Sequence, residues 1–205
     1  MPTLYYSHNL NPRLCVAAAR QLNAPVRYEA AAPLAPDQQA RFARLNPNLR
    51  VPILEMDDGS TLWETDAIVC RLARLAGRED FFPAGELLPE LLRWLSWSAM
   101  HWGQACSGLY FQHLIVPRYQ LSPLPASVMA QHEAELRRLA PILDEHLSGR
   151  TWVLGDTLTY ADFRLGAILP FATEARVDLS GQAALLSWAG RLGELTAWRD
   201  PFAGL

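Results

Sequence analysis

The sequence changes its hydrophobic pattern once, near residue 76, and this change constrains the possible fold more than any other feature. Before it, short β-prone runs alternate with amphipathic helical segments, whereas after it nearly every segment repeats its apolar residues at helical spacing. Such a shift predicts an α/β domain followed by an all-helical domain. We therefore predict an α/β domain over residues 1–76, a linker over 77–88 and a helical domain over 89–205.

The first domain contains signals for strands and helices in alternation. The strand signals lie at Thr3–Tyr6, Val26–Tyr28, Val51–Leu54 and Ser60–Leu62. Helices are expected to begin at Pro12, which suits a first helical position, near Pro36 and at Glu64. The predicted order is β-α-β-α-β-β-α, in which the last two strands form a hairpin around Asp57-Asp58-Gly59.

The helical domain contains one long aromatic helix, from about Pro89 to Tyr119, and a second helix from about Ser127 to Leu147. Further on, Thr159-Tyr160-Ala161-Asp162 has the pattern of a capping box, in which the threonine and the aspartate each bond to the other's backbone amide. This pattern predicts a buried helix start and not a catalytic site, because buried unpaired amides are costly.

Composition and charge exclude several classes of function. The 18 Lys and Arg residues nearly balance the 21 Asp and Glu residues, and without a basic block a nucleic-acid partner is not expected. The N-terminus lacks a signal-peptide pattern and no apolar run reaches the ~20 residues that span a bilayer, so we predict a cytoplasmic protein without a membrane segment. Cys15, Cys70 and Cys106 are too widely spaced for a disulfide framework or a zinc site, and we expect buried hydrophobic roles for them.

Two short motifs combine backbone and polar groups in a way that suits a small charged ligand. Val51-Pro52 follows a loop and precedes a strand, where proline favours a tight turn or a cis bond. Glu64-Thr65-Asp66 opens a helix, where free backbone N–H groups and the positive end of the helix dipole attract carboxylates. An ordinary strand-start proline and simple N-capping are the alternatives for the two motifs.

A resemblance to the glutathione transferase family is carried by the stretches N-P-N-L-R-V-P-I-L and D-G-S-T-L-W-E-T-D-A-I. The glutathione-binding half of that family usually reads N-P-x-G-K-V-P-x-L and then L-x-E-S-x-A-I, and G-D-T-L-T-Y-A-D resembles the family's C-terminal capping box. The resemblance covers essentially the whole chain and implies a thioredoxin-like domain followed by an α-helical bundle. It also implies a bacterial detoxification enzyme with glutathione as co-substrate, no metal, and a homodimer with the long aromatic helix at its interface.

Carried over by position, the resemblance implies a role for each residue of the two motifs. Pro52 is expected to be cis, and the backbone of Val51 to pair with the cysteinyl part of glutathione. Glu64 would receive the γ-glutamyl ammonium, and Thr65, which replaces the usual serine, would donate to the γ-glutamyl carboxylate. Arg50 stands where the family often has lysine, and it either meets the glycyl carboxylate or is solvated.

The thiol-activating loop departs from the better-known classes, which place Tyr, Ser or Cys there. It reads Ser7-His8-Asn9-Leu10-Asn11-Pro12, and without a cysteine it excludes a mixed disulfide formed by the loop itself. A hydrogen-bond donor to sulfur would lower a thiol pKa that starts near ~8.5. By resemblance to the bacterial Nu class, Asn11 is the expected donor and Asn9 its partner. Alignment on Arg13 to the serine-type classes instead brings the serine's place near Asn9, and Ser7 is the remaining hydroxyl.

Other residues have weaker functional signals. Ordinary turn and capping chemistry is the alternative for both loop asparagines, and His8 receives no role because a lone loop histidine is usually exposed. Trp102 and Tyr110 are expected to line an acceptor pocket, although aromatics at helical spacing also form cores or dimer contacts.

Three functional hypotheses follow from the resemblance and the loop. The first is attack of the glutathione thiolate on an electrophilic acceptor. The second is glutathione-dependent reduction of a disulfide or peroxide, with both thiols supplied by glutathione. The third is a transferase-fold binding protein without turnover.

Overall fold

The computed structural model describes residues 1–205 and divides them into two units. One unit contains Met1–Phe82 together with Leu195–Leu205, and the other contains Pro83–Glu194. The last residues of the chain, which we assigned to the helical domain, lie with the α/β unit because the short helix Thr196–Arg199 packs against the first helix.

A four-stranded mixed sheet forms the centre of the first unit. Its strands, in spatial order β2-β1-β3-β4, are β1 (Thr3–Tyr6), β2 (Arg27–Ala30), β3 (Ile53–Glu55) and β4 (Thr61–Trp63). β1 pairs parallel with β2 and antiparallel with β3, and β3 pairs antiparallel with β4. The predicted order of elements and the predicted hairpin are confirmed.

Three helices pack on this sheet, namely α1 (Leu10–Gln21), α2 (Gln39–Leu45) and α3 (Thr65–Leu75). α1 and α3 pack against each other. α2 supplies Phe42, which forms a buried cluster with Tyr5 and Ile53 of the sheet. Neighbouring strand residues point to opposite faces, and Leu4 and Tyr6 are buried as well, so both faces of β1 are covered.

The first helix begins at Leu10, and our prediction of a start at Pro12 is wrong. Asn9 is the extended N-cap, with φ −85° and ψ 170°, and its carbonyl accepts from the Arg13 N–H at 2.9 Å. Pro12 therefore lies inside the first turn, where backbone N–H groups have no helical partner and a missing donor is tolerated.

The second unit is built from helices. A continuous helical stretch comprises α4 (Leu88–Trp97), α5 (Gly103–Tyr110) and α6 (Val116–Tyr119), joined by π-helical segments at Ser98–Trp102 and Phe111–Ile115. α7 (Ala126–Leu147), α8 (Tyr160–Gly166) and α9 (Ala183–Glu194) follow, and α7 packs against both α5 and α9. The two long helices predicted from the sequence are present, whereas neither π-helical segment was predicted.

The predicted capping box opens α8. Thr159 and Asp162 exchange both hydrogen bonds of the motif, and Asp162 is fully buried. Its carboxylate accepts from the backbone N–H groups of Val153 and Thr159 at 2.8 and 2.9 Å, and from Trp188 Nε1 at 2.9 Å. Burial raises the pKa of Asp162, against the hydrogen bonds, which lower it. The motif is structural, as expected.

The three cysteines are free thiols. Cys15 and Cys106 are buried as predicted, and burial raises the pKa of the Cys106 thiol. Cys70 on α3 is only partly buried, so the buried role that we expected for it is wrong. Among the helices, none combines the length and the apolarity that a membrane crossing requires.

Candidate functional site

The sheet register brings three of the segments singled out in the sequence to one edge of the first unit. Tyr5 of β1 lies opposite Ile53 of β3, which in turn lies opposite Trp63 of β4. Because β3 runs antiparallel to both neighbours, the end of β1, the start of β3 and the end of β4 fall at the same edge. The segments that continue these strand ends are Ser7–Asn11, Arg50–Pro52 and Glu64–Thr65. Together they form the candidate site.

The Val51–Pro52 peptide bond is cis, as predicted. Pro52 is buried and Val51 is half-buried. The ladder between β1 and β3 starts at Ile53, so the backbone N–H and carbonyl of Val51 are not used by the sheet. An extended peptide ligand can pair with such groups, in the way that strands add to a sheet edge.

The side chain of a buried asparagine holds the turn before this bond. Asn46 is 3% exposed. Its Nδ2 donates to the Arg50 carbonyl at 2.8 Å, and its Oδ1 accepts from the Asn48 N–H at 3.0 Å. Leu49 lies within this turn with φ 51°, a region that non-glycine residues rarely adopt. The Asn46 side chain therefore fixes the path of the chain toward Val51, and the Asn-Pro-Asn sequence was the only signal for it.

Glu64 and Thr65 open α3 in an unusual conformation. Glu64 is the N-cap, with φ 72° and ψ 125°, and its exposed carboxylate makes no capping hydrogen bond. Simple N-capping therefore does not account for this glutamate, and residues in such strained conformations cluster at ligand-binding sites. Thr65 is 6% exposed, and its carbonyl lies 3.9 Å from the Cys15 Sγ of α1. The first turn of α3 thus offers backbone donors beside an uncommitted carboxylate.

The loop after β1 presents its polar groups at the N-terminus of α1. Asn9 makes no side-chain capping bond, so capping does not explain it. Asn11 is exposed on the first turn, and Ser7 Oγ is shielded from solvent without a hydrogen-bond partner. No acidic side chain lies in that turn, so the positive end of the helix dipole is not neutralised there. This environment favours an anion such as a thiolate.

Trp102 and Tyr110 pack inside the second unit. Trp102 is 2% exposed, and its Nε1 donates to the Leu165 carbonyl at 2.9 Å. Tyr110 is 6% exposed and meets Phe171 edge-on at 5.2 Å between ring centroids. These contacts are those of core residues, and the acceptor role that we assigned to both side chains stays a prediction.

A separate polar cleft of about 440 Å³ lies on the sheet of the first unit, and its lining includes Tyr5, Glu29 and Glu55. Its charged groups are occupied with one another. Tyr5 OH donates to Glu55 at 2.6 Å, and Arg41 donates to Tyr5 OH at 3.0 Å and pairs with Glu29 at 2.9 Å. Burial and the hydrogen bond to Glu55 raise the pKa of Tyr5. Because each of these groups already has a partner, the cleft is a weaker candidate than the loops at the sheet edge.

Two models of known protein domains match most of the chain. The model described as "Glutathione S-transferase, N-terminal domain" matches residues 15–75, and that described as "Glutathione S-transferase, C-terminal domain" matches residues 95–204. Glutathione S-transferase 3 of Zea mays is 31% identical over 167 residues, which cover 80% of this chain and 74% of that protein. Glutathione S-transferase GST-4.5 of Xanthomonas campestris is also 31% identical, over 74% of this chain and 73% of the relative.

Solved structures agree in fold. The ternary complex of BphK, a bacterial GST, superposes with a TM-score of 0.82 at 24% identity and covers 98% of both chains. Glutathione transferase F7 from Populus trichocarpa gives a TM-score of 0.87 at 18% identity, covering 100% of this chain and 99% of that one. The predicted family, fold class and enzyme class, glutathione transferase, are confirmed by these matches. The chain therefore belongs to the glutathione S-transferase family.

Proposed function

We propose that this chain binds reduced glutathione at the candidate site and presents its thiolate to an electrophilic acceptor. The observation that carries the proposal is the strand register, which aligns the loop after β1, the cis bond before β3 and the start of α3 at one sheet edge. Two solved structures of similar fold contain such a ligand: glutathione S-transferase-I is bound with lactoylglutathione, and a glutathione transferase family member from Pseudomonas fluorescens has two glutathione molecules bound.

Each segment of the site would bind a different part of the tripeptide. The Glu64 carboxylate receives the γ-glutamyl ammonium, while Thr65 and the first-turn amides of α3 donate to the γ-glutamyl carboxylate. The unpaired backbone of Val51 bonds to the cysteinyl residue, which directs the thiol toward the loop after β1. Arg50 is exposed beside Val51, and it would either bind the glycyl carboxylate or remain solvated.

Thiol activation is assigned to the N-terminus of α1. Asn11 donates to the sulfur with Asn9 as its partner, and the helix dipole adds to the preference for the thiolate. Ser7 is the alternative donor, because its hydroxyl lacks a partner and a thiolate would accept from it. The likeness of this loop to the Nu class stays a prediction, as does reduction of a disulfide or peroxide.

A binding protein without turnover is the second candidate function. Elongation factor 1-gamma-A of Xenopus laevis is 26% identical over 78% of this chain, and the matched region covers 36% of that protein. The same fold therefore also occurs as part of a protein whose name is not that of a transferase. Glutathione binding without turnover of any acceptor would favour this candidate.

The decisive experiment measures glutathione affinity together with turnover of a chloronitrobenzene, an organic hydroperoxide and a small disulfide. We expect Glu64→Ala to weaken glutathione binding about 10- to 100-fold, because it removes a charge-assisted hydrogen bond. Glu79→Ala is the matched control, since Glu79 is an exposed glutamate beyond the end of α3 that pairs with Arg74. Equal affinity of Glu64→Ala and the wild type would contradict the proposed site.

We also propose a homodimer formed through the long helical stretch of the second unit. Leu92 and Met100 on that stretch are 47% and 65% exposed, an unusual position for large apolar side chains. Light scattering of the wild type should give twice the chain mass, and Leu92→Lys with Met100→Lys should give the monomer mass. Wild-type scattering at the monomer mass would refute it.

A further inference from the structure

The C-terminal strap, Leu195–Leu205, belongs to the first unit and packs against α1. Two arginines of α1 hold it. The Arg13 guanidinium donates to the Trp198 carbonyl and lies 5.1 Å from the centroid of its ring, and Arg20 donates to the Ala203 carbonyl at 2.6 Å. The strap is thus fixed at two points to the helix whose N-terminus opens the candidate site.

The Arg13 contact is part of the interior of the first unit. Arg13 is 6% exposed, Trp198 is 3% exposed, and burial lowers the pKa of Arg13 to about 10. The guanidinium therefore still carries its charge at neutral pH, and a buried charge requires hydrogen-bond acceptors. The strap supplies such an acceptor, the Trp198 carbonyl. Its contact with α1 is therefore part of the core of the first unit and not a contact between exposed surface residues.

Beyond this anchor, the strap contacts the thiol-activating loop through a stack of three rings. The Phe202 ring lies 4.3 Å from the His8 ring with an interplanar angle of 5°, and 5.5 Å from the Tyr6 ring with an angle of 21°. Tyr6 and His8 are themselves stacked at 6.1 Å. Phe202 therefore contacts the residues on both sides of Ser7.

This stack fixes the part of the loop where the chemistry is proposed. Tyr6 is the last residue of β1, and Asn9 is the N-cap of α1. Between them, Ser7 and His8 carry the chain from the sheet to the helix. His8 is exposed, and stacking on the rings of Phe202 and Tyr6 holds its side chain against the unit. Misplacement of a catalytic group by about 1 Å can cost as much as 100-fold in rate, so the loop must be held firmly.

We propose that Phe202 is a positioning residue for glutathione activation. By stacking on His8 and Tyr6, the strap holds the loop Ser7–Asn11 so that its donor meets the glutathione sulfur. Phe202 itself touches neither the sulfur nor the acceptor. The proposal rests on the proposed function, and it adds the C-terminal strap to the segments that form the candidate site.

The test compares Phe202→Ala, Phe202→Leu and Phe202→Tyr by ultraviolet titration of the bound glutathione thiol and by kcat. Ring pairs of this geometry contribute energies that correspond to about 2- to 12-fold in an equilibrium constant. We therefore expect the Ala and Leu variants to raise the thiol pKa by about 0.3–1 unit and to lower kcat by the same factor. The affinity for glutathione should be unchanged, because Glu64 and Thr65 are not involved, and Phe202→Tyr should restore both values.

Further measurements separate positioning from a general loss of stability. Leu205→Ala, which removes an exposed side chain at the end of the strap, should leave both values unchanged. His8→Ala should reproduce the effect of Phe202→Ala, and the double variant should be no worse than either single one. Wild-type pKa and kcat in both the Ala and Leu variants would overturn the proposal.

The positioning of the loop by Phe202 can also be tested if the proposed function is wrong. In that case the wild type binds no glutathione, and amide hydrogen exchange of residues 7–11 in the ligand-free protein decides whether the strap holds the loop. Faster amide exchange in Phe202→Ala than in Leu205→Ala would support the proposal that the strap positions the loop. Equal exchange in the two variants refutes it.

Discussion

Leu49 is a residue at which backbone and side chain have opposing preferences. Its φ of 51° lies in the left-handed region, which costs a non-glycine residue about 1–2 kcal/mol. Its side chain, however, packs against the buried cluster of Tyr5, Phe42 and Ile53. The apolar contact offsets the backbone cost, so that a large side chain stands in a turn that glycine would adopt without strain.

Glycine at position 49 should therefore be more stable than alanine, the reverse of the usual order. Both variants lose the packing of the leucine, and only glycine relieves the backbone, so we expect a difference of about 1 kcal/mol in the free energy of unfolding, measured in urea. Leu45 is the matched control, because it packs on the same cluster but ends α2. There, alanine should be more stable than glycine by up to about 1 kcal/mol. The same order at both positions would contradict this account.

The residues of the site were predictable to different degrees. Val51, Pro52, Glu64 and Thr65 lie in local patterns, a loop before a strand and the opening of a helix, and these patterns depend on near neighbours in the chain. The positive φ of Glu64 was not predictable, because no residue type demands it and the surrounding fold imposes it. The two hydrogen bonds of Asn46 were not predicted either, because they depend on the folded path of the turn before Val51 and not on residue type alone.

The contact between α5 and α7 depends on a glycine. A Cβ atom on Gly108 would lie 2.2–2.4 Å from three ring atoms of His132 on α7. Real Cβ atoms do not approach so closely, so an alanine would push the ring or the helix aside. This close approach favours glycine at position 108, although glycine is a poor helix former.

Gly108→Ala should destabilise the protein by about 1–3 kcal/mol, because the clash outweighs the gain in helix propensity. In a His132→Ala background the clash is absent, and the same change should be neutral or stabilising by up to about 1 kcal/mol. Gly190→Ala in α9 is the matched control, since nothing lies within 4 Å of its Cβ position, and it should stabilise the protein. Thermal or urea unfolding checks all of these variants. A destabilisation that persists without His132 would point away from this contact.

The elements themselves show where sequence patterns stop being informative. The long helical stretch was predictable because its apolar and aromatic residues repeat at helical spacing over many turns. Its π-helical segments at 98–102 and 111–115 were not predictable, because i→i+5 turns have no characteristic amino-acid composition. The placement of the C-terminal strap was also not predicted, since the helix Thr196–Arg199 is too short for its sequence to identify its neighbour and its position depends on contacts with α1.

Two hydrogen-bonded groups of the second unit, one buried and one half-buried, meet at Val153. Its N–H donates to the Asp162 carboxylate at 2.8 Å, and its carbonyl lies 2.8 Å from His146 Nε2. Asp162 in turn connects the start of α8 to Trp188 of α9. The capping box and a titratable histidine therefore share one backbone residue, which couples the protonation state of the histidine to the stability of the second unit.

That coupling predicts a loss of stability in mild acid. Burial lowers the pKa of His146 below its usual 6.5, against the hydrogen bond to Val153, so the folded state prefers the neutral ring. Its contribution is complete above pH 6.5 and is lost as the pH falls below that value, with a slope of at most about 1.4 kcal/mol per pH unit. Asp162 cannot cause such a loss, because burial raises its pKa and its contribution has the opposite sign. Urea unfolding between about pH 7.5 and 5.5 should show that the free energy of unfolding depends less steeply on pH in His146→Gln than in the wild type. An equally steep pH dependence in the two proteins would mean that other groups cause the loss of stability.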